Sequence, residues 1–165
     1  MTPPALVTEI ATLLRARGER LATAESCTGG LIAATCTDLA GSSDWFERGV
    51  VTYSNEAKTE LLGVPKALID DHGAVSAQVA EAMATGLLAR VPSTVHWTVA
   101  VTGVAGPGGG SAEKPVGTVW LALAGRSGVL RVWCERFDGD RRAVRVQTIE
   151  SGLNALRREL APASD

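Results

Sequence analysis

One apolar segment ends in a turn of small residues and passes directly into a second apolar segment, and this feature constrains the fold most. Residues 20–25 have the pattern of a strand, and residues 29–39 have the pattern of a helix. The turn between them contains Ser26, Cys27 and Thr28, followed by two consecutive glycines. A strand-to-helix turn of this kind presents side-chain oxygens at a sheet edge and leaves N–H groups free at the helix start. It therefore predicts an α/β sheet with either a capped helix or an anion-binding turn at this point.

Strand-like and helix-like segments alternate along most of the chain, and two adjacent strands follow near its end. The periodicity predicts helices at 5–17, 29–39, 56–62, 66–71, 77–90 and 141–160. It predicts strands at 20–25, 45–53, 95–102, 117–124 and 129–137, the last two forming a hairpin. This order is typical of a three-layer α/β/α sandwich on a mixed β-sheet. We expect a single domain over residues 1–165.

Composition excludes several classes of function. A net charge of −2 gives no electrostatic basis for binding nucleic acid. No apolar run approaches the ~20 residues that a membrane-spanning helix needs. The N-terminal residues lack the pattern of a signal peptide, and three cysteines without close pairing do not predict a disulfide framework. We therefore expect a cytoplasmic protein with no nucleic-acid or membrane partner.

Two common kinds of cofactor site are not predicted. The only histidines, His72 and His96, are far apart in sequence, so no metal site is expected. The glycine-rich loop at 103–111 matches neither the phosphate-binding loop nor the dinucleotide-binding fingerprint, and a strand rather than a helix follows it. We interpret it as a loop that closes over a substrate, with an ordinary surface loop as the alternative.

Ser26 is the candidate nucleophile, and it needs a base. Neither histidine has an obvious acidic partner at a strand end, which argues against a Ser-His-Asp triad. Lys58 lies about one helical turn beyond Tyr53, and a partly buried lysine can act as a base. Cys27 is the rival nucleophile. A helix cap for Ser26, an exposed position for Lys58 and simple packing for Tyr53 are the alternative interpretations.

Polar residues at four element ends predict where these groups meet. Residues 26–30, 53–58 and 102–111 each follow a predicted strand, and residues 138–142 lie between the last strand and the last helix. Ligands of open α/β sheets bind beyond the carboxyl ends of the strands. We therefore expect the first three segments to line one crevice.

Several motifs in order resemble one known family. They are Glu-Ser-Cys-Thr-Gly-Gly at 25–30, Tyr-Ser-Asn-Glu-Ala-Lys at 53–58, Gly-Ala-Val-Ser at 73–76, Thr-Gly-Val-Ala-Gly-Pro-Gly-Gly at 102–109 and Phe-Asp-Gly-Asp-Arg at 137–141. Over nearly the whole chain they resemble the C-terminal domain of the competence/damage-inducible protein CinA, a family that includes stand-alone nicotinamide-nucleotide amidases. The resemblance implies an α/β/α sandwich, in agreement with the alternation of elements.

The resemblance also implies a reaction. Nicotinamide mononucleotide would be hydrolysed to nicotinate mononucleotide and ammonia, with no metal and no cofactor. Ser26 would be the nucleophile and Lys58 the base, with Tyr53 holding the lysine or relaying its proton. The resemblance also implies a homo-oligomer, and we favour a dimer.

A second group of residues is expected to bind the substrate: Thr28, Gly29, Gly30, Thr102, Gly103 and Arg141. The turn at 28–30 would offer N–H donors to the oxyanion. For the 5′-phosphate we favour Arg141 over Arg142 and Arg145, by bidentate pairing. Two other functions remain open, a non-catalytic nucleotide-binding module that keeps the pocket and a serine amidase for another small amide.

Overall fold

The computed structural model describes residues 2–161. Its helices are α1 (Pro3–Arg17), α2 (Leu31–Thr37), α3 (Asn55–Leu62), α4 (Lys66–His72), α5 (Ala77–Leu88) and α6 (Arg141–Leu160). Its strands are β1 (Leu21–Glu25), β2 (Phe46–Val51), β3 (Trp97–Gly103), β4 (Thr118–Gly125) and β5 (Leu130–Arg136). A single 3-10 turn, Ser42–Asp44, precedes β2.

The five strands form one mixed sheet in the order β2-β1-β3-β4-β5. Strands β2, β1 and β3 are parallel, whereas β4 runs antiparallel to both β3 and β5. The predicted mixed sheet and the α/β/α sandwich are confirmed, and β3 lies at the centre of the sheet as its apolar composition predicts. Since β4 and β5 are joined by a short turn, the predicted hairpin is present as well.

The two faces of the sheet differ in the size of their side chains. Helices α1, α2 and α6 cover a face of branched residues, which includes Leu21, Val99 and Leu121. Helices α3, α4 and α5 cover the other face, where alanines from β1, β3 and β4 predominate. Successive residues of a strand point to opposite faces, so this division follows directly from the alternation of alanine with larger residues in the sequence.

The structure corrects some predicted boundaries. Helix α2 begins at Leu31, because Gly29 and Gly30 have φ values of +60° and +98° and form a turn. Strand β2 ends at Val51, and Trp45 before it is fully buried in the core. Of the tail expected to fray at 161–165, residues 162–165 lie outside the described part.

The topology brings several loops to one edge of the sheet. Strands β1, β2, β3 and β5 all point their carboxyl ends toward this edge. The segments that follow them are residues 26–30, 52–54, 104–117 and 137–140. Within residues 2–161, no helix is both long and apolar enough to cross a membrane.

Candidate active site

A crevice of about 220 Å³ lies at this edge of the sheet. Six of the predicted residues line it: Ser26, Tyr53, Lys58, Thr102, Gly103 and Arg141. The three segments that follow β1, β2 and β3 therefore do meet in one crevice, and the start of α6 joins them.

Ser26 and Lys58 are in direct contact in this crevice. The Lys58 Nζ lies 3.0 Å from the Ser26 Oγ. The same nitrogen donates to the backbone carbonyl oxygens of Thr52 at 3.0 Å and Tyr53 at 3.2 Å. A neutral amine has two N–H donors and one lone pair, so the two carbonyls can accept its protons while the lone pair receives the serine proton. The end of β2 and the start of α3 together fix this geometry. Ser54, between them, caps α3 by accepting from the Ala57 N–H at 3.0 Å, and Lys58 lies on the first turn of that helix.

Lys58 is buried without an acidic partner. Its exposed fraction is 1 %, and no salt bridge joins it to a carboxylate in the described part of the chain. Burial disfavours the charged ammonium and lowers the pKa of Lys58 below its ordinary value, although nearby Cys27 and Glu56 oppose the shift. A lysine in this environment is suited to accept a proton at moderate pH.

Tyr53 contacts the site mainly through its backbone. Its carbonyl oxygen accepts from Lys58 and lies 3.5 Å from the Ser26 Oγ. Its side chain is 61 % exposed, and its hydroxyl accepts from Arg141 Nη2 at 3.1 Å. The hydroxyl has no hydrogen bond to Ser26 or Lys58 among the described contacts, so the proton relay suggested for Tyr53 has no contact to follow here.

Cys27 lines the crevice but is a poor nucleophile. It is buried, and this burial raises the pKa of its thiol to about 11. Since the thiolate is the reactive form, almost none is present near neutral pH. Of the two candidate nucleophiles, the local environment favours Ser26.

The turn between β1 and α2 has three N–H groups without an acceptor in any other described residue. These belong to Cys27, Thr28 and Gly30, whereas the Gly29 N–H donates to the Ser26 carbonyl at 3.0 Å. The first N–H groups of α2 are also occupied, because Ile32 and Ala33 both donate to the carboxylate of Glu25. The N–H groups of Gly29 and of the helix start are therefore already hydrogen-bonded in this structure, and they do not offer the oxyanion donors expected there.

Thr102 and Gly103 at the end of β3 also line the crevice. Thr102 is buried, and its hydroxyl donates to the Ala74 carbonyl at 2.9 Å, which ties β3 to the loop before α5. A Cβ on Gly103 would lie 2.9 Å from the Thr118 carbonyl oxygen, so only glycine fits there. The segment that follows the glycine loop is also tied down, since Lys114 Nζ donates to the His72 carbonyl at 2.7 Å.

Three arginines of α6 lie beside this crevice. They line a neighbouring cavity of about 640 Å³, which shares Ala105 and Arg141 with the crevice. Arg141 Nη1 donates to the Gly106 carbonyl at 2.8 Å, and Arg145 Nη2 donates to the Thr28 carbonyl at 3.0 Å. Arg142 is exposed. The cavity thus offers a positively charged lining within reach of the Ser26 crevice.

Some predicted residues do not line the crevice, and some lining residues were missed. Thr28, Gly29 and Gly30 are absent from the lining and belong to the turn that follows β1. Asn55 and Val75 line it but were not predicted, although both lie within motifs at 53–58 and 73–76. Glu25 was also missed, and its signal was a lone charged residue ending an otherwise uncharged strand. Residues 2–161 contain no group of three or more potential metal ligands.

Known proteins resemble this chain closely. A sequence model of the CinA C-terminal domain matches residues 4–160. Nicotinamide-nucleotide amidohydrolase PncC of Enterobacter agglomerans is 53 % identical over 154 residues, which are 93 % of each chain. A CinA-like protein of Geotalea daltonii is 58 % identical over 153 residues, and the match spans 36 % of that longer protein.

A solved structure has the same fold. It is the competence/damage inducible protein CihA from Agrobacterium tumefaciens, with a TM-score of 0.91, 46 % sequence identity and coverage of 96 % of this chain and 94 % of that one. The fold, the sequence model and the identity to full-length relatives agree. This chain belongs to the CinA C-terminal domain family.

Proposed function

We propose that the chain is a nicotinamide-nucleotide amidohydrolase that converts nicotinamide mononucleotide to nicotinate mononucleotide and ammonia. Ser26 is the nucleophile and Lys58 the base. The contact of 3.0 Å between Lys58 Nζ and Ser26 Oγ carries this proposal. The name of the 53 % identical relative supports the choice of substrate class.

In the first half of the reaction, the Ser26 Oγ attacks the carboxamide carbon and neutral Lys58 accepts the hydroxyl proton. The carbonyl oxygen becomes an oxyanion, for which the N–H groups of Cys27 and Thr28, which have no acceptor in another described residue, are available. When the C–N bond breaks, the Lys58 ammonium returns its proton to the leaving nitrogen, and ammonia departs. Ser26 is then esterified to the nicotinoyl group.

In the second half, a water molecule attacks this ester while Lys58 accepts one of its protons. The C–O bond to Ser26 then breaks, and Lys58 returns the proton to the serine oxygen. The product, nicotinate mononucleotide, leaves with its new carboxyl group as a carboxylate. The second proton of the attacking water passes to solvent. Throughout, the carbonyl oxygens of Thr52 and Tyr53 hold the lysine nitrogen in line with Ser26.

The substrate's phosphate is proposed to bind near the start of α6. Arg141 lines both the crevice and the neighbouring cavity, so it connects the reaction centre with the cavity that all three arginines line. Its guanidinium can pair with a phosphate in bidentate fashion. Thr102, Gly103 and the glycine loop would then enclose the ring or ribose.

An ammonia-release assay tests the proposal. Wild-type protein is incubated with nicotinamide mononucleotide, its dephosphorylated riboside and free nicotinamide. Ammonia and nicotinate mononucleotide in equal amounts, with the mononucleotide strongly preferred, would support it. Turnover of all three at equal rates would indicate a general amidase, and binding without turnover would indicate a nucleotide-binding module.

The remaining features of the protein are also proposals. We propose a single domain over residues 1–165, a cytoplasmic location and a homodimer. All three cysteines are free, which suits a reducing compartment. The exposed Val51, Tyr53 and Leu61 near the edge strand β2 could be covered by a second copy. Light scattering after size-exclusion chromatography measures the assembly, and a monomer would contradict the dimer.

A further inference from the structure

Glu25 is a buried carboxylate that the proposed reaction does not use. It is the last residue of β1, directly before Ser26, and its exposed fraction is 0 %. No salt bridge joins it to a cation in the described part of the chain. An isolated charge is costly to bury unless hydrogen bonds replace its hydration, so its contacts are expected to matter.

Four donors satisfy this carboxylate. Oε1 accepts from the Thr28 hydroxyl and from the Ile32 N–H, both at 2.7 Å. Oε2 accepts from the Ala33 N–H at 3.0 Å and from the Thr23 hydroxyl at 3.3 Å. Two of the donors are first-turn N–H groups of α2, where the helix dipole also favours negative charge. Glu25 therefore joins the end of β1, the turn and the start of α2 from inside the core.

The turn is held from its other side by a positive charge. Arg145 of α6 donates to the Thr28 carbonyl at 3.0 Å, while the Thr28 hydroxyl is bound to Glu25. Thr28 is thus held by Glu25 through its hydroxyl and by Arg145 through its carbonyl. The N–H groups of Thr28 and Cys27 remain without an acceptor in another described residue. Donors fixed in advance stabilise a developing oxyanion best, because they need not reorganise during the reaction.

We propose that Glu25 is a positioning residue that holds the Cys27 and Thr28 N–H groups in place to bind the oxyanion formed at Ser26. The inference rests on the proposed serine chemistry. It also gives the charge of Glu25 a definite role, because the carboxylate occupies the N-terminus of α2 and leaves the oxyanion to be bound by the turn and not by the helix.

The variant Glu25→Gln tests this role, since it keeps the shape but turns an NH₂ group toward the N–H donors. We expect kcat for the mononucleotide to fall about 100-fold with KM unchanged, as when an oxyanion donor is lost. The matched control is Thr98→Val, which removes another buried hydrogen bond, from Thr98 to the Ala84 carbonyl, away from the turn. An unchanged kcat in Glu25→Gln would overturn the proposal. So would a loss of kcat no greater than the loss in Thr98→Val, when the two variants have the same melting temperature.

A second variant covers the case in which Glu25→Gln does not fold. Thr28→Val removes only the hydroxyl that donates to Glu25 and keeps the backbone N–H. We expect kcat to fall about tenfold with KM unchanged, the effect of one lost hydrogen bond. Wild-type kcat in this variant would contradict the positioning role.

Labelling of Ser26 by a fluorophosphonate separates this inference from the proposed substrate. The reagent forms a tetrahedral adduct on an activated serine and needs no nucleotide. If the wild type labels at Ser26 but does not hydrolyse the mononucleotide, the substrate is wrong while the role of Glu25 is still under test. Labelling about 100-fold slower in Glu25→Gln supports the role, and equal rates overturn it.

Discussion

The Lys58 Nζ and the Ser26 Oγ lie 3.0 Å apart, and the lysine that makes this contact is almost completely buried. Its nitrogen donates to backbone carbonyls, at the shortest distances to those of Thr52 and Tyr53, and no carboxylate neutralises it within the described residues. Burial of a lysine costs desolvation free energy, which brings no benefit to a lysine with a purely structural role. It is useful for a base, because it lowers the pKa of the amine.

The pH dependence of the reaction should report this lysine. Since only neutral Lys58 accepts the serine proton and its pKa is lowered, kcat should rise with pH and level off below the ordinary lysine value of 10.5. On the acidic limb we expect about a tenfold change per pH unit. Stopped-assay ammonia measurements across pH give the profile. A rate that is independent of pH on the acidic side would argue against a lysine base.

The stability of the fold should depend on the same group. Between the lowered pKa of folded Lys58 and 10.5, Lys58 binds its proton more tightly in the unfolded chain, so the contribution of Lys58 to stability rises with pH there by up to about 1.4 kcal/mol per unit. Lys58→Met should remove this slope and stabilise the protein at neutral pH while abolishing activity. Urea unfolding at several pH values measures it, with exposed Lys66→Met as the control. Equal slopes in wild type and Lys58→Met would contradict the account.

Replacement of Cys27, the rival nucleophile, should leave the activity nearly unchanged. The raised pKa of Cys27, about 11, leaves almost no thiolate at neutral pH, so Cys27→Ala should retain kcat within about twofold. Its backbone N–H stays in place. Activity assays before and after iodoacetamide treatment check this, and loss of activity in either experiment would restore Cys27 as a candidate.

Tyr53→Phe separates a backbone role from a side-chain role. The Lys58 contact is made by the Tyr53 carbonyl, which the substitution keeps, and the lost hydroxyl contacts only Arg141 among its described partners. We expect kcat to be nearly unchanged and KM to rise by a few fold, the value of one hydrogen bond. A fall in kcat of about 100-fold would instead indicate a proton relay through the hydroxyl.

Arg141→Ala should weaken binding of the phosphate. Loss of a charged hydrogen-bonding partner costs about 1.5–3 kcal/mol, so KM for the mononucleotide should rise about 10- to 100-fold. Any activity toward the dephosphorylated riboside should be unaffected. Arg142→Ala is the control, because Arg142 lines the neighbouring cavity but not the crevice that contains Ser26. A larger effect in Arg142→Ala would assign the phosphate to that residue.

Periodicity and capping residues were enough to predict most of the fold. The apolar runs of β1 and β3 predicted buried strands. Ser54 and Ser76 cap helices where the sequence indicates, and Asp140 is the cap of α6, for which Asp138 and Asp140 were both candidates. The start of α2 was predicted two residues early, because the twin glycines resemble a helix start but adopt positive φ. Local pattern alone does not separate these two outcomes.

The candidate site was harder to predict, because its decisive contacts join residues far apart in sequence. Ser26 and Lys58 were identified from their positions after strands, and the register of β1 with β2 brings them together. The use of the Tyr53 carbonyl depends on where β2 ends, which periodicity does not resolve. The role of Glu25 depends on burial of its carboxylate beneath the turn, which becomes apparent only in three dimensions.

The most direct measurement compares ammonia release from nicotinamide mononucleotide by wild type and Ser26→Ala. Circular dichroism of both proteins verifies that the variant keeps the fold. We predict turnover by the wild type and a loss of at least about 10⁴-fold in kcat for Ser26→Ala, the scale seen when a nucleophile is removed. Ammonia release by Ser26→Ala at the wild-type rate would contradict the serine mechanism.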